Sequence, residues 1–288
     1  MKLIDMTNKE AQSKLGKIGL IAGGGNFPIL LVKDMIENGT PFYTVGLKPF
    51  AKDELKEASK GFYEEVTMPN IFKCRKIFKA KNVDTVILIG SVNPRIIPKL
   101  EFLLNIDMLV MGIRMQAYKK KHDAVFRVIS DTFERAGFSF VGIQDAMPSL
   151  MVKAGLLTKT APSPQDEIDI KLAIEESKKV GESDIGQAAV VKDGKFISSE
   201  EPTTGTDGLI RRALEMKHNE KGGVMAKLTK PGQEERGDIP AIGFGTLNSL
   251  IEGKLNGIVI EAEYKTILED KEELIKAFDE NNIFILAI

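Results

Sequence analysis

Lys227, Lys230, Arg236 and Asp238 stand in one polar stretch, Met225 to Gly243, bracketed by two short apolar runs. Three cations can neutralise anionic oxygens, and an acid among them can hold a metal or orient a water. That is phosphate chemistry, with Asp238, Lys227 and Arg236 as candidate catalytic residues and Lys230 on the substrate. The same composition also describes an exposed charged loop between two strands, and composition by itself favours that plainer description.

Other stretches offer partners for such a site. Gly23-Gly24-Gly25-Asn26 follows an apolar run and opens a helical pattern, so backbone N–H groups and a helix N-terminus can meet an anion there. Pro28 stands near where a packing glycine would be, and no acid closes the second strand at Gly46-Leu47-Lys48, both against a nicotinamide cofactor. Ser91 and Asn93 follow an apolar strand and are pocket candidates, although Asn93 before Pro94 is also an ordinary turn residue. In the turn Thr203 to Gly208, Thr206 can bind substrate and Asp207 a metal, while helix capping is the ordinary use of such residues.

Positioning these groups requires alternating elements. Strands are predicted at Ile18–Ala22, Phe42–Val45, Tyr63–Met68, Thr85–Gly90 and Phe138–Ile143. Helices are predicted between them, including Ile29–Asn38 closed by Gly39, Lys52–Lys60, Ile71–Ala80 and one through Val125, Ile129 and Phe133. This alternation predicts a doubly wound parallel sheet. A polar connector with prolines, Met147–Pro164, marks a boundary between domains 1–146 and 147–288. Beyond it the pattern predicts a helix over Asp166–Val180 and a hairpin turning at Asp193-Gly194. Further elements are a helix from Leu209, a helix over Thr246–Lys254, a strand over Gly257–Ala262, a helix over Lys271–Glu280 and a strand over Ile283–Ala287.

At 288 residues the chain suits two cores. A net charge of -1, from 40 basic and 41 acidic residues, creates no global field for nucleic acid, so none is expected as a partner. One cysteine and two histidines exclude four-ligand zinc sites and disulfide frameworks, leaving a hard cation held by carboxylates as the metal to expect. No apolar run reaches the ~20 residues that span a bilayer. The richest, Leu100–Met115, is expected to be a core helix or, as the alternative, a greasy surface strip.

Four stretches together resemble the UDP-2,3-diacylglucosamine pyrophosphatases built on two domains, a family distinct from calcineurin-like phosphoesterases. They are Leu20 to Gly25 with Pro28, Asp184-Ile185-Gly186-Gln187, Gly205-Thr206-Asp207, and Lys230-Pro231 through Gln233, Arg236, Asp238 and Pro240. The chain departs from the family at Thr204, where a glutamate is usual, and at His122-Asp123, where an Asp-Asp pair is usual; Glu201 is retained. The resemblance implies an α/β protein, with an N-terminal Rossmann-like parallel-sheet domain, a second distinct α/β domain, and substrate held between them. It implies magnesium-dependent hydrolysis of UDP-2,3-diacylglucosamine to UMP and 2,3-diacylglucosamine 1-phosphate in lipid A synthesis, with the residue at Asp238 essential. Substrate contacts are expected at Gly23, Gly24, Gly25, Asn26, Asn93, Gln187, Thr206 and Lys230, and metal contacts at Asp238 and Asp207. A cytoplasmic homodimer is expected, with any membrane contact peripheral and made through Leu100–Met115. A sensor that binds nucleotide sugars without turnover is the alternative. Met1–Lys14 is expected to be a disordered or capping extension without a role.

Overall fold

The first strand, β1 (Ile18–Ala22), is buried at every position, as expected of a central parallel strand covered on both faces. It runs into the glycine turn and then α2 (Phe27–Asn38), which ends at Gly39 with φ of 70°, the left-handed stop that glycine adopts without cost. The computed structural model describes residues 2–68, 70–92, 123–183, 185–201, 204–237 and 239–288, apart from the side chains of residues 123–125 and 207. The chain divides into two units, Met1–Pro148 with Glu234–Asp238, and Ser149–Gln233 with Ile239–Ile288.

In the first unit β1, β2 (Phe42–Lys48), β3 (Tyr63–Thr67), β4 (Thr85–Ile89) and β5 (Ser139–Val141) form one parallel sheet in the order β3-β2-β1-β4-β5. The crossovers include α3 (Asp53–Ala58), α4 (Ile71–Ala80) and α5 (Asp123–Glu134). Phe78, Phe133, Phe138 and Phe140 interlock with ring centroids 5.7 to 6.2 Å apart, and Phe126 meets Phe140 edge-on at 5.5 Å. Cys74 is buried in α4 and packs there as a small apolar side chain.

One sequence expectation is corrected here and another is narrowed. The strand predicted over Phe138–Ile143 stops at Val141, and Ile143–Ala146 forms a short helix, α6. The Asp145 carboxylate accepts the Gly142 N–H at 2.9 Å, which satisfies one of the donors that a helix start leaves open. Of the two forms expected for the N-terminal extension, residues 2–14 take the ordered one. The extension carries α1 (Asn8–Gln12), closed by a capping box between Thr7 and Glu10, and its Gln12 is fully buried.

The second unit holds a mixed six-stranded sheet, order β7-β14-β12-β10-β8-β9, and a three-stranded sheet, order β11-β13-β6. The expected connector after Met147 contributes strands to both, β6 (Met151–Val152) and β7 (Gly155–Leu156), rather than a plain linker. On one face of the larger sheet lies α7 (Pro164–Glu182), packed on β8 (Ala188–Lys192) and β10 (Val224–Lys227). The hairpin from β8 to β9 (Lys195–Ser199) turns at Asp193 and Gly194, both at positive φ, as a tight two-residue turn requires. The opposite core takes side chains from α8 (Gly205–Met216), α9 (Phe244–Glu252) and α10 (Lys271–Glu280). β11 (Ala241–Ile242), β12 (Gly257–Ile260), β13 (Glu263–Leu268) and β14 (Phe284–Ala287) complete the sheets, β13 being a strand that the sequence reading did not separate.

Candidate functional site

The stretch after β10 is cross-linked to other elements of the second unit by its own side chains. Lys227, half-buried at the end of β10, donates from Nζ to Thr206 Oγ1 at 3.2 Å. Thr206 in turn donates to Glu200 Oε1 at 2.9 Å, and the other Glu200 oxygen accepts the Gln187 N–H at 2.8 Å. Gln187 also accepts from Gln233 Nε2 at 3.4 Å, while Gln233 Oε1 receives the Lys230 N–H at 2.8 Å. Gln187, Thr206, Lys227 and Lys230, picked from separate stretches of sequence, are therefore one hydrogen-bonded set.

Glu200 is the hub of that set and was missed by sequence reasoning. A signal existed in Gly186: a Cβ there would lie 2.6 Å from Glu200 Cβ, so only glycine admits the buried acid. Glu201, the retained acid, instead pairs with Arg212 at 3.2 Å on the surface. Arg212 also donates to Thr204 Oγ1 at 2.8 Å and to the Ser199 carbonyl at 2.8 Å. Neither threonine side chain caps α8 in the ordinary way. Thr204 sits at the cap without a side-chain capping bond, and Thr206 points its hydroxyl at Glu200. A second missed acid, Glu261 just past β12, accepts both the N–H and the hydroxyl of Thr229 at 2.5 Å and anchors the start of the loop.

The loop then contributes Glu234–Asp238 to the first unit. Arg236 donates to Glu234 through Nε at 2.7 Å and Nη2 at 3.2 Å, and to Glu134 through Nη1 at 2.6 Å. Its guanidinium also lies 5.9 Å from the centre of the Phe140 ring. Hydrogen bonding to Glu234 raises the Arg236 pKa further, and the same contact holds the Glu234 carboxyl below its usual range. Arg236, expected to be catalytic, is here paired with two carboxylates and ties the segment down. Gly237 lies flat on Phe126, where a Cβ would fall 1.5 Å from Phe126 Cε2.

The glycine turn is also partly committed. The Gly23 N–H goes to the Ile89 carbonyl at 2.8 Å, and Gly24 and Ser91 exchange main-chain bonds at 2.9 Å. Gly23 and Gly24 are buried, so the expected anion cradle of N–H groups does not include them; Gly25 and Asn26 are exposed at the start of α2. Asn26 Oδ1 accepts from Lys52 Nζ at 2.7 Å, bringing a cation to the turn. The Tyr63 side chain fills the space over Gly46 at the end of β2, and burial pushes its pKa up to about 12.

Asp238, Asn93, His122, Asp184 and Leu100–Met115 lie outside the described residues, as does the side chain of Asp207. Among the described residues no group of three His, Cys, Asp or Glu side chains could hold a metal ion. The candidate donors, Asp207 and Asp238, suit magnesium in kind, because two carboxylates with phosphate oxygens are hard ligands for a hard cation. No helix among the described residues is long and apolar enough to cross a membrane.

A parallel sheet in the order 3-2-1-4-5 opening on a glycine turn, followed by a separate mixed-sheet unit with its own polar site, makes this a two-domain α/β protein with a Rossmann-like first domain. The chain belongs to the LpxI family, whose N-terminal domain matches residues 17–150 and whose C-terminal domain matches residues 153–286. A relative in Caulobacter vibrioides, named UDP-2,3-diacylglucosamine pyrophosphatase LpxI, is 32% identical over 282 residues, covering 94% of this chain and 97% of its own.

Proposed function

We propose that the chain hydrolyses the pyrophosphate of UDP-2,3-diacylglucosamine, releasing UMP and 2,3-diacylglucosamine 1-phosphate for lipid A synthesis. The observation that carries this reading is the hydrogen-bonded set of Lys227, Thr206, Glu200, Gln187 and Gln233 in a chain of the LpxI family. Water adds to one phosphorus, the bridging P–O bond breaks, and the water's protons leave to solvent and the departing phosphate. Lys227 and Lys230 bring positive charge to the diphosphate, and the Thr206 hydroxyl and Glu200 hold the Lys227 ammonium in place. Gly25 and Asn26 receive the nucleotide end, with Lys52 beside them. Asp238 orients the attacking water. Magnesium, held by Asp238 and Asp207, would draw charge from the phosphate oxygens. The protein acts in the cytoplasm as a homodimer, with peripheral contact to the membrane that holds its acylated substrate.

Asp238→Asn tests the centre of this reading. Asparagine keeps the shape but removes the negative charge, so UMP release should fall by roughly 10³-fold while UDP-sugar affinity persists. Melting temperature, UMP release and binding are measured on one preparation. A folded variant with near wild-type release removes Asp238 from the chemistry. Wild-type protein that binds the UDP-sugar with magnesium but never releases UMP would be a sensor instead.

A further inference from the structure

Three consecutive residues ahead of Asp238 are held by four side chains of the first unit. Arg236 is pinned by Glu134 and by Ser130 Oγ, and Gly237 rests on Phe126. Glu235 is held through its main-chain carbonyl, which accepts from Gln144 Nε2 at 2.9 Å. Gln144 is only 3% exposed, and its Oε1 finds no hydrogen-bond partner among the described residues. A buried amide with one end unsatisfied is a poor choice for stability, since an apolar side chain of the same length would fill the space without that penalty. What the amide supplies is the donor to Glu235. Gly142 preserves the arrangement, because a Cβ there would lie 2.2 Å from Gln144 Oε1.

The helix that carries Gln144 is itself tied to the N-terminal segment. Fully buried Gln12 donates to the Ala146 carbonyl at 3.2 Å and to Asp34 Oδ2 at 2.5 Å, and accepts from Thr40 Oγ1 at 2.6 Å. Asn8 reaches the other Asp34 oxygen at 2.8 Å. Asn8 and Gln12 precede the range that matches the family's N-terminal domain, which begins at residue 17.

We propose that Gln144 is a positioning residue for residues 234–237, acting through the Glu235 carbonyl, and that the N-terminal segment braces the Gln144 helix through Gln12. The idea rests on the reading of Asp238 as the acid of the site. Gln144 touches no reacting atom; it holds the main chain of residues 234–237, which Asp238 follows in sequence. Loss of that hold loosens the main chain next to the acid in sequence, which costs turnover more than affinity.

The test uses Gln144→Met, Gln12→Leu and Asp238→Asn in the full chain, with UMP release, melting temperature and hydrogen exchange. Gln144→Met should stay folded, lower kcat roughly 10- to 100-fold, shift KM by less than about twofold, and speed amide exchange over residues 234–237. Gln12→Leu should move kcat and exchange in the same direction by a smaller factor. If Gln144→Met fails to fold, Gln12→Leu decides, and wild-type kcat and exchange in it overturn the proposal. A kcat that falls only in step with the folded fraction overturns it too. Asp238→Asn separates the failures: wild-type UMP release there removes the assignment of the site. Inactivity there, alongside unchanged glutamine variants, removes only the positioning role.

Discussion

Thr206 places one hydroxyl between an ammonium and a carboxylate, donating to Glu200 and accepting from Lys227. Its type and position were readable as part of a Gly-Thr-Asp turn, but its use was not, because Glu200 sits in an unremarkable Ser-Ser-Glu-Glu run. Which of two adjacent glutamates turns inward depends on the register of β9 and the gap at Gly186, neither of which is a property of composition. Arg236 is the converse case. A basic residue beside a lone acid reads as a phosphate contact, yet its partner Glu134 is 102 positions away and becomes visible only when the chain is folded. Thr206→Val should cost about 1 kcal/mol in urea unfolding, the ordinary worth of a lost hydrogen bond. It should lower UMP release roughly tenfold, since Lys227 loses its link to Glu200. Activity that falls only in proportion to folded protein would reduce Thr206 to a structural role.

Among elements, the unusual one is a short segment without secondary structure. Residues 234–237 are held by a side-chain amide, a guanidinium with two carboxylates, and a glycine laid on a ring, all in place of a ladder of main-chain bonds. Such a segment is tied down while remaining a loop. Gly237→Ala drives a Cβ into Phe126 and must displace the segment, so kcat should drop by roughly 10²-fold with little change in overall stability. Phe126→Leu, which clears the ring edge, should recover part of that loss in the double variant. Simple additivity of the two single effects would show that the contact does not set activity.

For the molecule as a whole, stability should carry a pH dependence traceable to Lys217. Its ammonium is buried at 4% exposure just after α8 and donates to the carbonyls of Gly222 at 2.7 Å and Gly253 at 2.9 Å. Burial lowers its pKa from the usual 10.5 to about 8. Between those values the unfolded chain holds a proton that the folded chain has released, so stability rises with pH across that window. Melting curves from about pH 7 to about pH 10 should show that rise in the wild type and a flatter profile in Lys217→Met. Equal slopes would mean that the carbonyls keep the ammonium charged throughout.

Much of the architecture follows from local pattern. The apolar runs of β1 and β4, the glycine stop after α2, the Asp193-Gly194 hairpin and the alternation of strand and helix are short-range signals, so the parallel first sheet and the second α/β unit were legible in the sequence. The family motifs marked Gln187, Thr206 and Lys230 as members of a site, and Lys227 and Asp238 by their chemistry. Tertiary structure alone decided that Glu200 rather than Glu201 bonds Thr206 and that Gly23 and Gly24 spend their N–H groups on neighbouring main chain. It alone decided that Arg236 pairs with Glu134, and that Gln12 and Gln144 hold chain far from them in sequence. The division has one physical cause. Propensity and periodicity act over a few residues, whereas burial leaves each polar group to find a partner wherever the fold brings one within hydrogen-bonding distance.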